Sequence, residues 1–150
     1  MRLEKEIHQT AFKNEYQKGL VNIIYTYNWT TERLKNIFKK EGISMQQFNI
    51  LRILRGSPAP VSILQIKERM LDKMSDTSRI VDRLVLKQLA NKVPGKTDKR
   101  LVDITISEKG KKLLAKMDKH QAAIENIIQN LSPGEAKTLN TLLDKIRQPS

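Results

Sequence analysis

Ser75-Asp76-Thr77-Ser78-Arg79-Ile80-Val81-Asp82-Arg83-Leu84-Val85-Leu86-Lys87 is followed, seven residues later, by Pro94-Gly95-Lys96-Thr97-Asp98-Lys99-Arg100. The first stretch reads as a helix capped by Ser75, with Asp76 in the first turn where the helix dipole favours a negative charge. Ile80, Val81, Leu84 and Val85 occupy one arc of it, and Asp76, Arg79, Arg83 and Lys87 share the other. The second stretch is turn chemistry with added cations. It joins two predicted strands, Leu89–Val93 and Arg100–Ile106, the latter alternating at Val102, Ile104 and Ile106. From Lys87 to Arg100 there are five cations (Lys87, Lys92, Lys96, Lys99, Arg100) and one acid, Asp98. A cationic helix beside a basic hairpin suits a polyanion, and in a small protein that points to duplex DNA.

The chain around this stretch is helical in pattern. Phe12, Tyr16, Leu20, Ile23, Tyr27, Leu34 and Phe38 recur at three-to-four-residue steps, with Thr31 on the same stripe. That predicts a helix of about seven turns ending near Gly42. Ser44 with Gln47, and Ser62 with Gln65, are capping boxes that open two short helices. Phe48, Leu51 and Leu54 face inward on the first, and Ile63, Ile66 and Met70 on the second. Ser107-Glu108 opens a fifth helix whose stripe is Leu113, Met117, Ile124, Ile127 and Leu131. Ser132-Pro133-Gly134-Glu135 caps a last helix with Leu139, Leu142, Leu143 and Ile146 inward.

The predicted fold class is mainly α with a small β-hairpin wing. Residues 43–106 form a winged helix-turn-helix lobe. Residues 1–42 and 107–150 form long terminal helices, too apolar to be spent on that lobe, which dimerise.

Composition narrows the function. The chain of 150 residues carries 28 basic and 16 acidic side chains, a formal charge of +12, which favours nucleic acid or another anionic surface. There is no cysteine, so thiolate metal sites, cysteine nucleophiles and thiol redox sensing are excluded. His8 and His120 have no His or Cys partner at metal-ligand spacing; no metal and no cofactor is expected. No nucleophile–base pair or phosphate-cradling glycine loop points to an enzyme. No apolar run approaches the ~20 residues needed to cross a bilayer. The charged start Met1-Arg2-Leu3-Glu4-Lys5-Glu6 lacks the core of a signal peptide. The expectation is a cytoplasmic protein without a membrane partner.

Three stretches together resemble the MarR family of bacterial transcription regulators. These are Gly42–Leu51, Ser75–Leu84 and Asp98-Lys99-Arg100-Leu101-Val102-Asp103-Ile104-Thr105-Ile106-Ser107-Glu108-Lys109-Gly110, with its Asp-x-Arg wing signature. The resemblance implies a homodimer on a pseudo-palindromic operator, acting as a repressor and often relieved by a small aromatic ligand. Ser107 stands where the family commonly has Thr, and Asn91-Lys92-Val93 replaces a stretch usually richer in Arg.

On this reading the helix after Met74 lies in the major groove. Arg79 and Arg83 offer planar donor forks to guanine edges or phosphates. Ser75, Thr77 and Ser78 bond phosphates or bases near the helix start, or simply cap it. Lys87 extends the cationic face. Lys96, Lys99 and Arg100 bring the wing to a backbone or minor groove, while Asp98 pairs with Arg100 to hold the hairpin. Arg79 and Arg83 have a plainer alternative, a solvated face paired with Asp76 and Asp82. Tyr16, Tyr25, Trp29 and Phe48, with Tyr27, are candidates to line a ligand cleft, or to pack in the core or dimer interface. The competing reading of the whole chain is a winged-helix module that docks its cationic face on an acidic protein.

Overall fold

The capping boxes set the frame. The computed structural model describes residues 2–95 and 100–149, and in it Ser44, Ser62 and Ser132 each accept the N3 backbone N–H while Gln47, Gln65 and Glu135 reach back to the cap. These boxes open α3 (Met45–Arg55), α4 (Ile63–Arg69) and α8 (Pro133–Ile146). The long helix α2 runs Glu15–Lys40, with Asn14 as its cap. Phe12 therefore lies ahead of the helix and not on its stripe. A short helix α1 (Leu3–Glu6), without a periodic signal of its own, is tied to α2 by Glu4–Lys18 at 2.6 Å and by the Tyr25 hydroxyl donating to Glu6 at 2.9 Å. That hydrogen bond to a carboxylate raises the Tyr25 phenol above its ordinary pKa.

Three strands form one antiparallel sheet in the order β1-β3-β2: β1 (Val61–Ser62), β2 (Ala90–Pro94) and β3 (Val102–Ile106). The hairpin register pairs Ala90 with Ile106 and Pro94 with Val102. β1 pairs Val61 with Ile104; two residues are too few to show alternation in sequence. Between the sheet and α3, α4, α5 (Thr77–Leu86) and α6 (Glu108–Asp118) sits the core. Ile50, Leu51, Ile66, Val81, Leu84, Ile104 and Leu114 are fully buried in it, and Phe38 at the end of α2 joins them. Arg55 forks onto Asp118 at 2.8 and 3.0 Å, linking α3 to α6 and holding that carboxyl below its usual pKa.

Three details differ from the sequence reading. Asp76, not Ser75, caps α5: its carboxylate accepts the Arg79 N–H at 3.1 Å. A charged acceptor at the positive end of a helix outcompetes a hydroxyl, and the Ser75 hydroxyl donates instead to the Asp72 carbonyl at 2.7 Å. The fifth helix is not continuous. It ends at Asp118, and α7 (Gln121–Glu125) and a 3₁₀ turn (Asn126–Ile128) follow. At the break Lys119 and His120 donate three residues back, to Lys116 and Met117, and the His120 ring meets Glu41 at 3.2 Å. A tertiary contact ends the helix where no Gly or Pro marks it. Lastly, three of the four apolar residues of α8 do not face inward: Leu139 is 39%, Leu142 54% and Ile146 64% exposed, while Leu143 is half-buried. On α2, Tyr16, Leu20 and Tyr27 are likewise exposed.

The junction between α5 and β2 is tight. Gln88 holds a left-handed φ of 60°, a conformation that strains a residue with a Cβ and suits glycine. Gln88→Gly is therefore expected to raise stability by about 0.5–1 kcal/mol, read as a higher urea midpoint at unchanged slope. The Ser107 hydroxyl bridges this junction to α6, donating to the Gln88 carbonyl at 2.7 Å and accepting the Gly110 N–H at 2.9 Å.

Candidate nucleic-acid interface

α5 is anchored by its cap and its buried residues and presents one face outward. Val81 and Leu84 are fully buried, and Thr77 is 4% exposed with a hydroxyl that has no partner among the described residues. Thr77 thus belongs to the core side and is not on the outer surface. Ser78, Arg79, Asp82, Arg83 and Leu86 are exposed. At about 100° per residue, Leu86 and Arg79 fall at the centre of that face, with Asp82 about 40° to one side of that centre. Arg83 flanks it, and Lys87 lies further round. The Lys87 amino group turns back to donate to the Gly42 carbonyl at 2.8 Å and to Gln47 at 3.3 Å. Lys87 is thus a tie to the α2–α3 turn, not part of the outer face, because helical phase carries it toward that turn.

The acids near the arginines are otherwise engaged. Asp76 caps the helix, and Asp82 pairs with Lys92 of β2 at 2.7 Å. Among the described residues, no ion pair involves Arg79 or Arg83, so both guanidinium forks are open to an external anion or base. Ser75 is half-buried in the turn before α5. Arg100 is exposed at the foot of β3. Lys96, Lys99 and Asp98 lie outside the described residues. The outer surface therefore joins α5, which presents Arg79 and Arg83, to the β2–β3 hairpin beside it.

Residues 43–102 match the family model described as the MarR family. Over that stretch the chain is similar to the MarR family. The chain is similar to the HTH-type transcriptional regulator PecS of Dickeya dadantii, at 27% identity over 77% of this chain and 71% of that protein. Its identity to the multiple antibiotic resistance protein MarR of Escherichia coli is 28%, over 85% of this chain and 90% of that one. Among solved structures, Bordetella bronchiseptica BpsR, whose DNA binding is regulated by 6-hydroxynicotinic acid, superposes with a TM-score of 0.80 at 18% identity over 94% of this chain and 100% of that one. An E. coli MarR variant complexed with operator DNA gives 0.77 at 22% identity over 99% and 100%. Both share the MarR winged-helix fold with this chain.

A second feature lies behind α5. A cleft of about 1020 Å³ opens between α2, α3 and the α4–α5 turn, lined by Tyr27, Phe38, Met45, Met70, Lys35 and Lys87. Of the aromatic residues that the sequence singles out, Tyr27 lines it. Tyr16, Tyr25, Trp29 and Phe48 do not. Tyr16 is 90% exposed on α2, and Tyr25 is bound to Glu6. The Arg33 guanidinium covers Trp29, 3.5 Å from the ring centroid, and Phe48 stacks on Phe38 at 4.8 Å. Composition marks which residues are aromatic; only the contacts of the folded chain decide which face a cleft. No described helix is long and apolar enough to cross a membrane.

Proposed function

We propose that this chain is a transcription regulator of the MarR family, a homodimer that represses transcription by binding a pseudo-palindromic operator in duplex DNA. Residues 43–106 act as the DNA-binding lobe, and residues 1–42 and 107–150 supply the dimer contacts. Arg79 and Arg83 read or clamp DNA, with Ser78 at the helix start and Arg100, Lys96 and Lys99 on the wing. The observation that carries this reading is the pair of guanidinium groups on the outer face of α5 without an ion pair among the described residues, beside a hairpin, in a chain of charge +12. Binding through phosphates releases counterions, so affinity should fall with salt at a slope of about −0.9 per phosphate neutralised. Anisotropy titrations of duplex DNA from about 50 to about 200 mM salt test this. A flat dependence, with retention on an acidic protein surface, favours the interaction-module reading.

The exposed apolar residues of α2 and α8 support the dimer, since contiguous apolar patches on a free surface mark interaction sites. The double variant Leu20→Glu and Leu142→Glu is expected to sediment as a monomer where the wild type sediments as a dimer. A wild-type protein that stays monomeric at micromolar concentration overturns the dimer. The cleft, with Tyr27 and Phe38 beside lysines, suits a small aromatic ligand that relieves repression. BpsR, regulated by 6-hydroxynicotinic acid, supports the same view.

A further inference from the structure

The outer face of α5 carries a carboxylate as well as arginines. Asp82 is 57% exposed and sits one turn from Arg79 on the same arc, with Lys92 of β2 at 2.7 Å as its counter-ion. An acid facing a polyanion is repelled unless it is neutralised and has a donor to meet. We propose that Asp82 is a specificity-determining residue that accepts a hydrogen bond from the exocyclic amino group of cytosine. This rests on the reading of α5 as the helix that enters the major groove.

The base edges allow one good partner. Guanine presents two acceptors there, and thymine an acceptor and a methyl group, so both repel a carboxylate. Adenine places its N7 acceptor beside its amino donor. Cytosine offers the N4 amino group with no neighbouring acceptor. Arg79 and Asp82 therefore present a donor fork and an acceptor together, which complements the guanine and cytosine edges of G·C pairs. Lys92 cancels the charge of Asp82 in the free protein, so the carboxylate does not oppose the approach of phosphates. An exposed pair of this kind contributes little to folding. Its removal should leave the melting temperature unchanged.

The test is selection of bound sequences from a random duplex pool by the wild type, Asp82→Ala and Asp82→Asn, with thermal melts of each. The wild-type motif is expected to contain cytosine at one position in each half-site. Asp82→Ala should lose about ten-fold of that preference while keeping the remaining positions, and Lys92, freed of its counter-ion, should tighten binding to random duplex. Asp82→Asn should shift the same position toward adenine, because an amide matches the adenine N6 and N7 edge. Superposable motifs from all three proteins overturn the proposal and leave the DNA reading standing. A wild type that enriches no motif overturns both.

Discussion

Arg83→Ala is expected to reduce affinity for the selected operator by about 10–100-fold per site, the equivalent of roughly 1–3 kcal/mol for a lost bidentate contact. The loss on random duplex should be far smaller. The reasoning starts from the fold. α5 is anchored by Val81 and Leu84, fully buried, and by the Asp76 cap, so truncating an exposed side chain does not move the helix. Arg83 has no ion pair among the described residues, and Asp82 is already engaged with Lys92. The substitution therefore removes a donor fork and one charge, nothing else. Charge acts on every duplex, whereas a fork matched to guanine N7 and O6 acts on some sequences only. Arg79→Ala, at the centre of the face, should behave alike. Equal losses on operator and random DNA contradict base reading and leave only phosphate contact.

Gly110→Ala is expected to have the largest effect on the folded state. A Cβ there would lie 2.2 Å from the Leu89 carbonyl oxygen and 2.9 Å from Ile106 Cγ1. The first is backbone at the α5–β2 junction and cannot rotate away. Relief requires α6 to move off the sheet, against Leu114 and Met117, both buried. Overpacking in a fixed core costs about 1–3 kcal/mol, and more where backbone meets backbone. Guanidinium or urea melts should show a midpoint lowered accordingly. Because the clash acts on the junction that ends α5, DNA affinity should fall with it. A variant with wild-type stability would contradict this placement of α6.

Much of the fold is legible in the sequence because capping is local. Ser44, Ser62 and Ser132 announce their helices through residues three positions away, and the structure keeps all three boxes. The hairpin is legible through the alternation of β3 and the Pro94-Gly95 turn. What depends on distant contacts is not. The break at His120 rests on Glu41, seventy-nine positions away, and the close approach of Gly110 to Leu89 exists only once α6 packs on the sheet. β1 has two residues, too few for a period.

The site divides the same way. Arg79 and Arg83 follow from composition and helical phase. The phase of Ile80, Val81, Leu84 and Val85 also contains the signal for the rest. Its opposite pole falls on Leu86 and Arg79, with Asp82 and Arg83 to either side, Lys87 further round and Thr77 in the middle of the buried arc. Weighting cations alone hides this, because a lysine and an aspartate are judged by charge before position. The cleft was less accessible: nothing in the sequence order of Tyr16, Tyr25, Tyr27 and Trp29 says that Arg33 covers one ring and Glu6 holds another.

The proposed role requires the outer face of α5 to meet duplex DNA. Leu86, 83% exposed at the middle of that face, is the position to question. Replaced by the photo-crosslinking residue p-benzoylphenylalanine and irradiated with bound duplex, it should join protein to DNA in high yield, while the same residue at exposed Lys112 on α6 should not. Crosslinks from position 86 that reach only protein, with DNA bound and position 112 attached to it, would contradict the account.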